Sequence, residues 1–228
     1  MFKIETHLHT TTISPCGRVT PEEIVRRYYE ADYHGLVVTD HYRLDVFEKL
    51  KDAENKLHAF LEGYRQVKYY ADRVGIKTYY GAELQFSENH NDYLLFGFSD
   101  ALMADPEKVC RIGVAAFSEL AREDGALLIQ AHPFRNGCVP VAPYLLDGVE
   151  AINRHDKHTN RNELATAYAD RYGMLKTSGG DFHDSEDICV AGIAVDRLPN
   201  NSMELAKLLH SGDFQLLGWE NTQNGNEG

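Results

Sequence analysis

No apolar run in this 228-residue chain approaches the roughly 20 residues that a membrane-spanning helix needs. The first residues also lack the charged and apolar regions of a secretory signal. We therefore expect a cytoplasmic protein with no membrane partner. Cysteine is scarce: Cys16, Cys110, Cys138 and Cys189 show no paired spacing, so neither a disulfide framework nor a Cys-X-X-Cys zinc site is indicated. Of the four, only Cys16 falls near the motifs described below. Positive charge is short as well, with 23 Lys and Arg against 35 Asp and Glu and a formal charge of −12. So acidic a chain lacks the broad basic surface that holds a nucleic-acid backbone through counterion release, which disfavours a long polyanionic substrate. A small phosphate ester needs only a few local cations. No nucleophile elbow and no phosphate-cradling Gly-Lys-Ser/Thr loop appears, leaving covalent and nucleotide-driven routes without support.

What the chain does have is 43% hydrophobic content, enough to bury one sizeable core. Residues 1–220 read as a single domain, and the polar, glycine-rich residues 221–228 as a disordered tail. Histidines and carboxylates gather where apolar runs stop. Residues 2–10 form a short extended run ending in His7-Leu8-His9, and in a strand two side chains two apart share a face, so both reach one metal ion. Residues 36–41 end in Thr39-Asp40-His41, residues 77–83 in Gly81-Ala82-Glu83, and residues 126–133 in Ala131-His132-Pro133, where the proline closes the strand. Residues 174–183 end in Gly180-Asp181-Phe182-His183. These ligand types converge only if the strands run parallel around a common axis.

Parallel neighbours need crossover helices, and the punctuation of helices lies between the strands. Thr20-Pro21-Glu22-Glu23 is a capping box in front of Ile24, Tyr28 and Ala31, with Gly35 after them. Leu57, Leu61, Tyr64, Val67, Ala71 and Val74 form one stripe that Gly75 ends. Asp105-Pro106 opens a helix with an expected buried face of Val109, Ile112, Ala116 and Leu120, ended by Gly125. Residues 160–163 repeat the cap chemistry ahead of a face of Leu164, Ala167 and Tyr168, ended by Gly173. Helix, glycine, strand and ligand recur four times, the pattern of an α/β barrel with its chemistry at the C-terminal ends of the strands. Arg18, Arg43 and Arg135 each follow a ligand motif by a few residues, in loops over the site, where a guanidinium binds a phosphoryl group bidentately.

These five motifs, in this order from residue 7 to residue 183, resemble those of the polymerase and histidinol phosphatase (PHP) superfamily. The resemblance implies a distorted (β/α)7 TIM-like barrel carrying two or three Mn, Fe or Zn ions, in an enzyme that hydrolyses phosphate esters. Carried over by position, it implies that His7, His9, Glu83 and Asp181 hold one metal and that Glu83 bridges it to a second held by His132. His41 and His183 then serve a third. Two positions depart from the pattern. Where an Asp or His often precedes a glycine, Cys16 stands before Gly17, and where a histidine often opens the fourth strand, Asp92 stands, with His90 two residues before it. Cys16 and Asp92 are taken as the ligands there.

The expected function is a metal-dependent phosphoesterase that hydrolyses a small phosphorylated metabolite by attack of a metal-bound water on phosphorus. Asp181, His183 and His41 are its catalytic candidates, the two histidines serving as proton donors where the third ion is absent. A nuclease or nucleotide phosphodiesterase of the same superfamily is the alternative, and a non-catalytic metal-binding barrel a third reading. An amidohydrolase would ordinarily place a bridging lysine where Glu83 stands. His34, His58 and His210 fall in helical or helix-end stretches, and His155 and His158 read as a solvated loop after the strand at residues 148–153. Asn153, at that strand's end, reads as a contact supporting the ligands or substrate.

Overall fold

Five consecutive buried residues, Ile4 to Leu8, end the first strand, β1 (Phe2–Leu8). A strand buried on both faces must have layers on both sides, and the helices supply one of them. The computed structural model describes residues 1–187 and 189–219, so the tail expected over residues 221–228 lies outside the described residues. After β1 come α1 (Pro21–Glu30), β2 (Gly35–Val38), the short β3 (His41–Tyr42), α2 (Leu44–Lys49), α3 (Lys56–Phe60), α4 (Glu62–Val74), β4 (Lys77–Gln85) and β5 (Asp92–Phe96). The chain continues through α5 (Asp100–Met103), α6 (Pro106–Ile112), α7 (Val114–Asp124), β6 (Leu127–Gln130), a 3-10 turn (Pro143–Leu145), β7 (Gly148–Asn153) and α8 (Asn162–Tyr172). It ends with β8 (Leu175–Gly179), β9 (Gly192–Val195), α9 (Ser202–Ser211) and β10 (Gln215–Leu217). No helix among the described residues is long and apolar enough to cross a membrane.

The strands lie in the order β10-β9-β1-β2-β4-β5-β6-β7-β8, with β3 beside β4. The parallel runs β1-β2-β4 and β6-β7-β8 match the expected barrel. The sheet is nearly closed on itself where residues after β8 return to β1. There Leu8 bridges Phe182, His9 N donates to Phe182 O at 3.0 Å, and Thr6 Oγ1 donates to Ser178 O at 2.5 Å. The start of β1 pairs instead with antiparallel β9.

Strand β5 departs from uniform parallel order, pairing antiparallel with both β4 and β6. Only residues 86–91 separate it from β4, too few for a crossover helix, so the chain doubles back. Two reversals restore the direction, and β6 again points its C-terminal end toward the ligand rim. The reversal also places the first residue of β5, Asp92, at that rim, opposite Gln85.

Local chemistry explains the helices and where they depart from expectation. Thr20 caps α1 by accepting from Glu23 N, with Pro21 in the first turn and Ile24 and Tyr28 buried. The single stripe expected through Val74 is two helices, α3 and α4, because the chain turns at Leu61, and this turn lets Gly63 lie against the Thr10 and Asp40 side chains. Val74, at the helix end, is exposed. Residues 106–124 likewise divide at Gly113, whose φ of 81° and ψ of 159° belong to a region that side chains beyond glycine rarely adopt. The break resets the helical phase. Val109 is buried as expected, but the buried face of α7 is Val114, Phe117, Ser118 and Ala121, while Ala116 is exposed and Leu120 half-buried. In α8 the buried residues are Ala165 and Ala169 rather than Leu164, Ala167 and Tyr168. Its expected cap is spent elsewhere: Asn160 donates to the Asn153 and His155 carbonyls and Asn162 accepts from Asn153 N, so the helix starts after a left-handed Arg161 with no side-chain cap.

Candidate metal centre

The side-chain alternation of β1 sends His7 and His9 to one point, with their Nε2 atoms 3.1 Å apart. Glu83, near the end of β4, reaches four imidazoles: His7 Nε2 at 3.2 Å, His9 Nε2 at 3.3 Å, His41 Nδ1 at 2.8 Å and His132 Nε2 at 3.2 Å. Asp181 Oδ1 stands 3.4 Å from both His7 Nε2 and His9 Nε2. All of these residues are buried. His132 and Asp181 adopt positive φ values of 30° and 52°, a backbone cost of about 1–3 kcal/mol each that persists where the surroundings hold it.

Counting hydrogens tests whether this group fits a metal ion. Ser14 Oγ donates its one proton to Asp40 Oδ1 at 2.7 Å, so toward His9 Nδ1 at 3.1 Å it can only accept. His9 therefore carries its proton on Nδ1 and presents a bare Nε2. His7 Nδ1 lies 2.8 Å from Glu150 Oε1, which leaves its Nε2 facing the same point. Bare nitrogens and carboxylate oxygens this close repel unless a proton or cation lies among them. Burial alone would depress His7, but Asp181, Glu150 and Glu83 outweigh it and hold its pKa well above the ordinary value. Burial and the neighbouring His183 and His41 push His9 well below it. Glu83 and Asp181, despite burial, are held well below the usual carboxylate range, with His7 the largest opposing influence on each. Imidazole with carboxylate suits Zn, Mn or Fe, so the donor set fits a divalent cation.

Two further groups adjoin the first. His41, Glu83 and Asp92 bring ligand atoms within 4.8 Å of one another, as do His9, Cys16, His41 and His183. The buried atoms His41 Nδ1 and Glu83 Oε2 are close but make no hydrogen bond of good geometry, as expected of two groups arranged for a shared ion. His132 Nε2 lies 4.0 Å from Asp92 Oδ2. Burial and the Glu83 charge push Asp92 up to about 6. Burial opposes ionisation of the Cys16 thiol, yet His183 and His41 bring it down to about 6. The two positions that depart from the superfamily pattern thus lie with the other candidate ligands, whereas His90 is exposed.

Above the ligands opens a cavity of about 330 Å³ lined by Arg18, Arg43, Arg135, His155, Lys157 and His158, among others. The three arginines differ in freedom. Arg135 is held by Asn160 at 2.9 Å, Asn153 at 2.9 Å and Asp181 at 2.5 Å. Arg43 Nε is 2.8 Å from Asp45. Arg18 is exposed, its backbone N–H donating to His183 O at 2.7 Å. Asn153 also donates to Asp181 at 3.1 Å, the supporting contact expected of it.

Sequence reading missed several groups. Glu150, Asp40 and Ser14 are buried and bound to the candidate ligand histidines or their neighbours. Glu150 left one signal, a lone carboxylate in a strand with six buried residues. His155, expected in a solvated loop, is 6% exposed and lies 3.4 Å from Asp187, because the loop after β8 folds over it; His158 is exposed. Cys138, expected away from the site, places Sγ 3.8 Å from His132 Nδ1, since a tight turn from Arg135 to Cys138 brings it back.

Comparison with known proteins agrees with this architecture. The family model described as the PHP domain matches residues 5–211. Among solved structures, a two-domain protein from Bacteroides vulgatus containing a predicted PHP-like metal-dependent phosphoesterase superposes with a TM-score of 0.67 at 15% identity, over 94% of this chain and 64% of its own. The chain thus spans less than two thirds of that protein. PsfC from Pseudomonas syringae gives 0.63 at 15% identity, over 90% of this chain and 87% of its own. A lesion-specific endonuclease from Pyrococcus furiosus gives 0.57 at 12% identity, over 94% and 57%. At these identities the likeness is one of fold. No curated protein matches the chain in sequence.

Proposed function

The chain belongs to the PHP domain family, and on that premise we propose that it is a metal-dependent phosphoesterase acting on a small phosphomonoester. The observation that carries this reading is the meeting of His7 Nε2 and His9 Nε2 at 3.1 Å beside the carboxylates of Glu83 and Asp181, two carboxylates that line a cavity with a cationic rim. His7, His9, Glu83 and Asp181 would hold one Mn, Fe or Zn ion. Glu83, His132 and Asp92 would hold a second, and Cys16, His41 and His183 a third. Bound ions of this kind act as Lewis acids on phosphoryl oxygens and lower the pKa of water from ~15.7 to roughly 7.

The chain's own groups do the rest. Arg18 and Arg43 at the rim set positive charge opposite the phosphoryl oxygens, where it offsets charge that moves toward the leaving group. Arg135, gripped by Asp181 and two asparagines, orients Asp181 and adds charge close to the floor. His41 is raised to about 10 and His183 above its ordinary value, against the lowering effect of burial, by Glu83 and Cys16 for the first and by Cys16 and Asp181 for the second. Both imidazoles line the cavity, where they would serve the leaving oxygen as proton donors when no ion occupies their group.

A cavity of about 330 Å³ and a formal charge of −12 favour a small phosphorylated metabolite of the cytoplasm over a long nucleic acid. The test is phosphate release from a panel of small phosphomonoesters and short oligonucleotides, with Mn²⁺-reconstituted protein and Asp181→Ala as control. Oligonucleotides belong in the panel because the Pyrococcus neighbour is an endonuclease. Release from monoesters that disappears in the variant is expected. Cleavage of oligonucleotides alone, or no turnover of either set, would overturn the proposal.

A further inference from the structure

Glu150 lies in the middle of β7, 143 residues from His7 in sequence and 1% exposed. Oε2 receives two groups that can only donate, His132 N–H at 3.0 Å and Asn153 Nδ2 at 2.9 Å. Oε1 is left for His7 Nδ1 at 2.8 Å. Through these contacts one carboxylate touches His7, the positive-φ backbone of His132, and Asn153, which in turn donates to Asp181 at 3.1 Å. A second feature shows the fold making room for this pair. A Cβ on Gly179 would stand 2.5 Å from Glu150 Oε1 and 2.5 Å from His7 Cβ, so any side chain there would push the two apart.

We propose that Glu150 is a positioning residue that sets the ring tautomer of His7 and so decides which nitrogen His7 offers to a cation. The proposal rests on the metal reading of the pocket and deepens it. An ionised carboxylate has no hydrogen to give, so a neutral His7 must keep its proton on Nδ1 and turn a bare Nε2 toward His9, Glu83 and Asp181. Carboxylate partners of this kind fix ligand orientation, and their loss lowers metal affinity by about 10–100-fold.

Glutamine at this position makes the argument testable, because it has nearly the same shape and one acceptor fewer. The two obligate donors claim its amide oxygen, so its NH₂ faces His7 Nδ1. His7 must then accept at Nδ1 and carry its proton on Nε2, where it blocks a cation. A purely structural role for Glu150 predicts no such inversion. The experiment is ¹⁵N–¹H correlation of the imidazoles in metal-free protein, at a pH where the His7 ring is neutral, followed by Zn²⁺ titration. The expected result is Nδ1–H in the wild type, Nε2–H in Glu150→Gln, and Nδ1–H again in Glu150→Asp, which retains two acceptor oxygens. Zn²⁺ affinity at the His7 group should fall by about 10–100-fold in Glu150→Gln. Retention of Nδ1–H in Glu150→Gln, or an inverted tautomer in Glu150→Asp, would overturn the proposal, and the second variant decides if the first does not fold. Because the tautomer is read without metal, a wild type that binds no Zn²⁺ would sink the phosphoesterase reading separately.

Discussion

Replacing Glu83 with glutamine should destabilise the metal-free protein and strip it of two proposed ions at once. The Glu83 carboxylate is 1% exposed and lies within 3.3 Å of four imidazoles. Its depressed pKa means that His7 and His41 stabilise the charge by more than burial penalises it. Removing one member of a buried, paired charge group costs about 3–5 kcal/mol. At an unfolding entropy of ~2.1 cal/mol/K per residue, a chain of this length has a total near ~0.5 kcal/mol/K, so Tm should fall by about 6–10 °C. The sign with pH follows from the direction of the shift: a depressed carboxylate contributes stability above its unfolded-state pKa and loses it as pH falls through the lower folded-state value. The gap between wild type and Glu83→Gln should therefore close on strong acidification. Calorimetry on chelator-treated protein measures the first effect, and elemental analysis after reconstitution measures the second, a loss of two ions per chain. A metal-free variant as stable as wild type, or more stable, would show that repulsion among the acceptors dominates and would refute the reasoning; unchanged metal content would refute the shared-ligand assignment.

Phe182, fully buried with its ring 5.4 Å from Tyr28 at the barrel closure, should cost about 3–5 kcal/mol as Phe182→Ala, and a denaturant-melt loss below 1 kcal/mol would contradict its place in the core. Gly113→Ala forces a side chain into a φ of 81° and should cost about 1–3 kcal/mol while the proposed phosphoesterase activity at low temperature matches that of the wild type; an unchanged Tm would mean that the helix break adjusts freely. Arg18 has no side-chain partner among the described residues and lines the cavity, so Arg18→Ala should raise KM by about 10–100-fold, the worth of a charge-assisted hydrogen bond of about 1.5–3 kcal/mol. Its metal content should match wild type, and an unaltered KM would remove Arg18 from substrate binding.

The candidate ligands were legible in the sequence because each depends on local rules. A strand's alternation puts His7 and His9 on one face, and an apolar run that stops at Glu83, His132 or Asp181 marks a rim. Thr20, Pro21 and Gly75 likewise punctuate their helices through bonds within a few residues. Periodicity alone failed where a tertiary constraint intervened. Gly113 and Leu61 interrupt what reads as continuous helix, and the asparagines expected to cap α8 instead brace the loop after β7. The direction of β5, and with it the place of Asp92, depended on a connection too short for a crossover.

Local rules in the sequence set several helix starts and stops, most of the strands and the rim on which the candidate ligands gather. Tertiary structure alone decided which partner each of those side chains meets and which cations beside the cavity have no side-chain partner among the described residues. Those outcomes hang on contacts such as Glu150 with His7, Ser14 with both His9 and Asp40, and Arg135 with Asp181, whose partners mostly come from distant strands and loops. Hydrogen bonds of this kind are set by distances of about 3 Å, and no local pattern of residue types encodes such proximity until the barrel has closed.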